Sequence, residues 1–373
     1  MAQTNSESAP LWLLIWTVNN IAVTLLNKSA FSKVDFHYPY FLSAIHMFCN
    51  SVGSMIMFRL LRSHQALNRY EALPMTEAGA VDEESQARLR SNAGLIQSVE
   101  AKLGSNIVGV LGNIQRREIE STSKKTKLIL YSMIFSLNIA IGNVSLRHVS
   151  VNFNQVMRSL VPALTIIMGG MLGRHTSTKR KLAVIPIVLG VACACYGDMT
   201  YTTVGMVYTC MCVLLAALKV VASGEMLTGD MKLHPVDLLG HMAPLALVQC
   251  LALSLLTGEM STMLSKPIPP PSHLAIIIGS GLMSFSLNIA SLQANKVTSP
   301  LTLCIAANVK QVSMIAIATI MFATPIAFLN GVGIAVVLMG SSIYSYISVM
   351  EKTAQKQATG GAVELNKNGQ SNA

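Results

Sequence analysis

The sequence predicts an all-α polytopic membrane protein with ten transmembrane helices in two inverted five-helix repeats, and three observations lead there. Of the 373 residues, 52% are hydrophobic and only 12% are charged, with a mean hydropathy of +0.51, outside the range of soluble globular chains. Ten apolar stretches recur, each near the length that crosses about 30 Å of hydrocarbon at about 1.5 Å per residue. The hexapeptide FSLNIA stands at 135–140 and again at 285–290. Identity over six mixed residues marks a duplication, and an odd number of spans per half inverts the second copy in the membrane.

The first repeat, 11–197, holds spans at 11–30, 38–60, 127–147, 152–172 and 181–197. Its first span opens with Trp12 and Trp16, suited to a membrane interface, and then lines Asn20, Thr24 and Asn27 along one inward face. The second span follows Phe36-His-Tyr-Pro and sets Ser43, His46 and Asn50 on one face, with His46 read as a packed, hydrogen-bonded histidine. The third carries Asn138, Gly142 and Ser145, and the fourth a polar stripe of Asn154, Arg158 and Thr165. Gly169 in the fourth span with Gly173 just past its end, and Gly190, Ala192 and Ala194 in the fifth, permit close helix contact.

The second repeat, 202–349, holds spans at 202–222, 237–257, 273–294, 300–322 and 328–349. Lys219 stands about one turn from the end of the sixth span, where snorkelling to the interface is the simplest expectation. The eighth carries Ser284, Asn288, Ser291 and Asn295, and the ninth Thr302, Lys310 and Ser313. Pro162, Pro186 and Pro244 interrupt backbone hydrogen bonding within spans, as happens near moving or binding segments. The ten-helix domain is thus 11–349, preceded by a cytosolic tail at 1–10 and followed by a disordered cytosolic tail at 350–373. A polar insert at 61–126 separates the second and third helices; its acidic cluster (Asp82, Glu83, Glu84) and basic end (Arg116, Arg117, Lys124, Lys125, Lys127) suit a solvated cytosolic loop touching anionic lipid.

The net charge of +10 is explained by its distribution, not by a nucleic-acid partner. Three Lys/Arg lie inside spans away from their ends: Arg158, Lys219 and Lys310. Of the rest, 20 fall on the side of the N-terminus and only Lys28, Lys33, Arg147 and Lys266 on the other, which places both termini and the insert in the cytosol. The first ten residues lack Lys and Arg and no cleavage site follows, so the first span is expected to be an uncleaved anchor. The seven cysteines all fall in apolar segments and read as small packing residues, with no metal site and no cofactor implied.

The buried cations carry the functional argument. Arg158 lies six residues, about 9 Å, inside its span from Asn152, where a charge costs about 3 kcal/mol or more. The spans are read as holding no aspartate or glutamate to neutralise these groups. An anionic ligand that completes the pairing is the expected remedy, with Arg offering a fork for phosphate oxygens and Lys a point charge. A phosphorylated small molecule fits; a neutral sugar or a cation does not. Without acidic carriers, proton or sodium coupling is disfavoured, and exchange of one anion for another remains. A membrane enzyme would need acids or metal ligands at the membrane face, and a scaffold would leave the cations unexplained.

Four runs then carry a family resemblance: VSVNFNQVMRS at 149–159, SPLTLCIAANVKQ at 299–311, TPIAFLNGVG at 324–333, and FHYP at 36–39. Together they resemble the nucleotide-sugar and triose-phosphate translocator family of the drug/metabolite transporter superfamily. That resemblance implies phosphate gripped by basic residues of the fourth and ninth helices. Lys310 falls on the family's ninth-helix lysine, Arg158 on a position usually lysine, and Lys219 on a basic position near the end of the sixth helix. Where plastid sugar-phosphate members place a following arginine and a Thr-His pair, this chain has Gln311 and Thr302-Leu303. The resemblance therefore implies a nucleotide-sugar antiporter of the Golgi or endoplasmic reticulum membrane, exchanging for luminal nucleoside monophosphate, with a sugar-phosphate/phosphate antiporter as the alternative. The expected substrate-binding set is Lys310, Arg158, Lys219, Asn154, Thr302, Asn308, Asn138 and Asn288; the expected partners are the phosphorylated anion and membrane lipid, with a homodimer left open.

Overall fold

A computed structural model describes residues 9–71, 94, 119, 121–171, 173, 176–198, 201–228, 233, 235–267, 269–297, 300–324 and 326–370. Its helices are α1 (Ala9–Ser32), α2 (Pro39–Glu71), α3 (Thr122–His148), α4 (Val151–Arg158), α5 (Val161–Met171), α6 (Thr178–Gly197), α7 (Thr203–Thr228), α8 (Pro235–Leu256), α9 (Glu259–Leu264), α10 (Pro271–Val297), α11 (Pro300–Phe322) and α12 (Phe328–Gln370). Four of them, α2, α8, α10 and α11, begin on proline, whose missing N–H is no loss at a position with no acceptor and whose fixed φ already suits a helix. Ser150 and Ser177 cap α4 and α6, their hydroxyls accepting from the backbone N–H of Phe153 and Arg180.

Eight of the described helices are long and apolar enough to cross a membrane, and the chain is a polytopic membrane protein. The other two predicted spans are those that carry Arg158 and Lys310. The ninth is α11, whose apolar stretch among the described residues is Ala306–Phe322. The fourth is not one helix: α4 ends at Arg158, the backbone N–H of Ser159 turns back to Val156 and Met157, and α5 starts at Val161. Pro162 is the cause, since it has no N–H for the Arg158 carbonyl and its ring crowds that carbonyl.

Two segments expected to be irregular are helical. α2 runs on to Glu71, into the first part of the 61–126 insert, while most of that insert, including the acidic cluster and Arg116 and Arg117, lies outside the described residues. α12 continues to Gln370 instead of giving way to a disordered tail after 349. Its extension is rich in Ala, Glu, Lys and Gln, strong helix formers, and a helix already nucleated adds them without a nucleation cost.

The chain forms two compact units, one of Met1–Arg147 with Ala222–Val297, the other of His148–Val221 with Thr298–Ala373. These cut across the repeat boundary near 200. In the first unit α2 packs on α8, and in the second α6 packs on α12 and α4 on α11. In the numbering of the spans these are second with seventh, fifth with tenth, and fourth with ninth, pairs of counterparts, while α1 and α2 also pack on α10, first and second with eighth, which are not counterparts.

The first unit is joined by neutral polar side chains. Asn27 donates to Asn143 at 3.0 Å and Asn143 to Ser43 at 2.8 Å; Asn19 donates to Ser286 at 2.9 Å; His46 and Ser280 are 3.0 Å apart, a packed histidine. Gln249 joins Ser132 and Ser136, each at 2.8 Å. Asn20 and Thr24, by contrast, bond to carbonyls of their own helix. Two charged residues depart from expectation here. Lys28, counted as a loop residue, lies within α1 and donates to the Leu146 carbonyl at 2.8 Å. Asp237 breaks the rule of acid-free spans: it is 1% exposed in the first turn of α8, 3.2 Å from His241 one turn on.

The second unit has an apolar centre of Phe153, Val156 and Met157 from α4, Ile187 and Val191 from α6, Val213 from α7, Ile315 from α11 and Val337 from α12. α6 and α12 meet at backbone distance. A Cβ on Gly333 would stand 2.3 Å from the Ala194 nitrogen, and one on Gly190 would stand 2.8 Å from the Val337 nitrogen. Gly190 and Ala194 are the close-contact residues the sequence suggested, whereas Ala192 faces outward.

Candidate functional site

The break in the fourth span is where the site is built. On α4, Phe153, Val156 and Met157 turn into the apolar centre, which leaves Asn154 and Arg158, four residues apart, together on another face. Arg158 Nε donates to Asn154 Oδ1 at 2.9 Å, and Asn154 is fully buried. Arg158 Nη2 reaches Cys212 Sγ of α7 at 3.2 Å. Among the described residues these partners, both neutral, engage two of the guanidinium's five N–H donors. The fork is thereby oriented without being neutralised.

Cys212 and Lys219 are seven residues apart on α7, two turns along one face, so the contact to Cys212 turns Lys219 toward the same side. Lys219 is half-buried, and α7 continues past it to Thr228. Lys310 of α11 is also half-buried. Both ammonium groups interact repulsively with Arg158. Three positive groups from α4, α7 and α11 thus lie in one unit, with Arg158 raising the electrostatic cost of each lysine.

Gln311, beside Lys310, holds α11 to the break: its Nε2 donates to Ser159 Oγ at 2.7 Å and lies 3.5 Å from the Gln155 carbonyl oxygen. On the same helix pair Asn152 donates to Thr319 at 2.7 Å. Asn308 is half-buried on α11, and Thr302 lies on α11 with its side chain outside the described residues. Asn138 and Asn288 belong to the other unit. Asn138 is buried in α3, and Asn288 donates to Asn50 Oδ1 at 2.6 Å and to the Ser284 carbonyl at 3.1 Å.

Of the residues named from the sequence, the structure brings Asn154, Arg158, Lys219 and Lys310 into one unit, where Cys212, Ser159 and Gln311 also contact α4 or its break. Cys212 looked like packing, though its seven-residue spacing from Lys219 was available as a signal. Ser159 and Gln311 gave none, because their roles depend on how α11 meets the break.

Residues 91–345 match the Triose-phosphate Transporter family. Among similar proteins, a UDP-galactose transporter of Arabidopsis thaliana is 26% identical over 344 residues, covering 91% of this chain and 87% of its own. A GDP-mannose transporter of the same plant is 25% identical over 344 residues, covering 91% and 86%. A probable sugar phosphate/phosphate translocator, also from Arabidopsis thaliana, is 26% identical over 334 residues, covering 88% and 79%. With most of its length matched, from within the insert to the tenth span, this chain belongs to the Triose-phosphate Transporter family, whose members are carriers and not enzymes.

Proposed function

We propose that the protein is a nucleotide-sugar antiporter of the Golgi or endoplasmic reticulum membrane, with both termini cytosolic, exchanging a cytosolic nucleotide sugar for luminal nucleoside monophosphate. The observation that carries this reading is the gathering of Arg158, Lys219 and Lys310 in one unit, with Arg158 oriented by two neutral partners. A pyrophosphate spread over three cations relieves their mutual repulsion, and an empty site restores it. Closure around the gathered like charges without an anion is therefore costly, while either anion lowers that cost, so the site crosses when loaded. That difference makes exchange obligatory. Lys310 and Lys219 act as point charges and Arg158 as the bidentate fork, with Asn154 and Cys212 fixing its plane. Asn308 and Thr302 line the same helix as Lys310.

A second reading, exchange of a sugar phosphate for phosphate, is kept by the similarity to sugar phosphate/phosphate translocators. Gln311 favours the first: its amide is already engaged with Ser159 and adds no charge for a compact phosphate ester. The test is uptake by purified protein in liposomes preloaded with UMP or GMP, against a panel of UDP-sugars, GDP-mannose, triose phosphate and phosphoenolpyruvate. Nucleotide-sugar uptake that needs the preloaded monophosphate and disappears in Lys310→Ala is expected. Equal uptake into empty vesicles would overturn exchange, and preference for triose phosphate would overturn the substrate class.

A further inference from the structure

Between α5 and α6 runs a groove of about 610 Å³. On α5 it is lined by Ala163, Ile166, Ile167 and Gly170, and on α6 by Lys181, Val184 and Val188, with Gly173 and Thr176 between the two helices. The α5 residues recur at three- and four-residue steps and the α6 residues do likewise, so each helix offers one face. The connection at 172–177 is short, so the helices run antiparallel and the lining has a polarity. Gly173, Thr176 and Lys181 stand at the connected end, and Ala163 and Val188 about seven residues, or about 10 Å, deeper. The apolar wall thus ends at an ammonium group.

The groove is open at Gly170. A Cβ there would find nothing within 4 Å, and Ile167 and Val188 beside it remain 60% and 43% exposed. The neighbouring Arg180 is occupied, paired to Glu351 at 2.6 Å and bonded to the Ser348 carbonyl. Lys181 is exposed and faces the groove. At about 30 Å³ per water-sized group, the volume holds about twenty such groups, room for one acyl chain and its ester but not for a packed helix.

We propose that this groove binds one anionic phospholipid, with an acyl chain along Ile166, Ile167, Val184 and Val188 and the headgroup at Lys181. The charge at its mouth selects the headgroup, and the depth of the apolar wall, about 10 Å, matches part of one leaflet. This site is separate from the cation cluster on α4, α7 and α11, and the inference does not depend on what that cluster carries.

The test is native mass spectrometry of the full chain released from detergent micelles doped with phosphatidylserine or phosphatidylcholine. The wild type should retain phosphatidylserine about fivefold over phosphatidylcholine, the preference that one lysine near a headgroup supplies. Lys181→Gln should keep a bound lipid but lose the preference. Gly170→Leu, which fills the open space and improves helix propensity, should lose the lipid while the unfolding temperature holds. Equal retention of both lipids by the wild type, or undiminished phosphatidylserine on Gly170→Leu, would overturn the proposal. A Gly170→Leu variant that changes the oligomer mass in light scattering without changing lipid retention would assign the groove to a second copy instead.

Discussion

The two compact units are built from the same duplicated sequence, yet they place their polar groups differently. In the first, FSLNIA occurs twice, in α3 and α10, and its polar residues join helices: Ser136 to Gln249, Ser286 to Asn19, Asn288 to Asn50. Each of these bonds links neutral partners across helices within the unit. In the second, α4 and α11 are also counterparts, but each contributes a cation, and Arg158 holds its place through an amide oxygen and a thiol. Neutral amides buried in pairs specify how helices meet, at about 0.6 kcal/mol each in membrane proteins. Gathered like charges oppose the packing around them, an opposition that the proposed anion would offset.

The sharpest way to break this comparison is to substitute Arg158. Arg158→Ala should lower exchange about a hundredfold or more, since truncating one member of a buried charge pair costs about 2–5 kcal/mol. Arg158→Lys should fall between, keeping the charge but losing the fork held by Asn154 and Cys212. Exchange that survives Arg158→Ala unchanged would leave the cluster without a function.

Next comes packing, tested by the same change in each unit. Gly333→Ala brings a methyl 2.3 Å from the Ala194 backbone nitrogen, which cannot move without displacing α6. Gly53→Ala meets the ring of Phe285 at 2.6 Å, the far end of a side chain that can rotate. The first should cost about 3 kcal/mol, the upper end of the overpacking range, and the second about 1 kcal/mol, read as thermal unfolding in detergent. Equal losses would mean that α6 and α12 are not held at backbone contact.

How far these features were legible in the sequence depends on whether they are periodic. Helices and polar stripes repeat along the chain, so the spans, Arg158, Lys219, Lys310 and the packed role of His46 could be read directly. Pro162 was visible as an interruption, but the end of α4 at Arg158 follows from how Ser159 and Leu160 turn back onto Val156 and Met157, which no periodicity encodes. Gln311 could be seen only as an absent charge; its bond to Ser159 requires α11 to lie against the break. Asp237 sat at the edge of an apolar stretch and was overlooked for that reason, and the mixing of repeats within each unit is a property of packing alone.

Asn288 separates the two roles most directly, because the sequence places it in the substrate set and its amide is already bonded to Asn50. Asn288→Ala should lower stability by about 1 kcal/mol and leave exchange per folded molecule unchanged. If exchange collapses while the unfolding temperature holds, the first unit contributes to the site and the contrast between the units has been drawn too strictly.

The smallest expected effect lies outside the spans, at Glu259 of α9. Its Oε2 accepts from the backbone N–H of Phe41 at 3.0 Å, capping the first turn of α2 from a distant part of the chain. Burial pushes its carboxyl above the usual carboxylate range, while backbone bonds from Phe41 and Tyr40 and the charge of Arg147 hold it down in part. A raised folded-state pKa means that the native chain takes up a proton more readily than the unfolded chain. The stability from this group is therefore complete below the ordinary carboxylate range and is lost as pH rises through the folded value. Glu259→Ala should cost about 1 kcal/mol, as for a lost cap. Glu259→Gln keeps an acceptor without the charge, so it should match the wild type in acid and gain on it as pH rises toward neutral, a trend readable from unfolding temperatures across that interval. A difference between the two that does not change with pH would show that the Glu259 carboxyl is not titrating in a desolvated site, and the cap would then rest on its hydrogen bond alone.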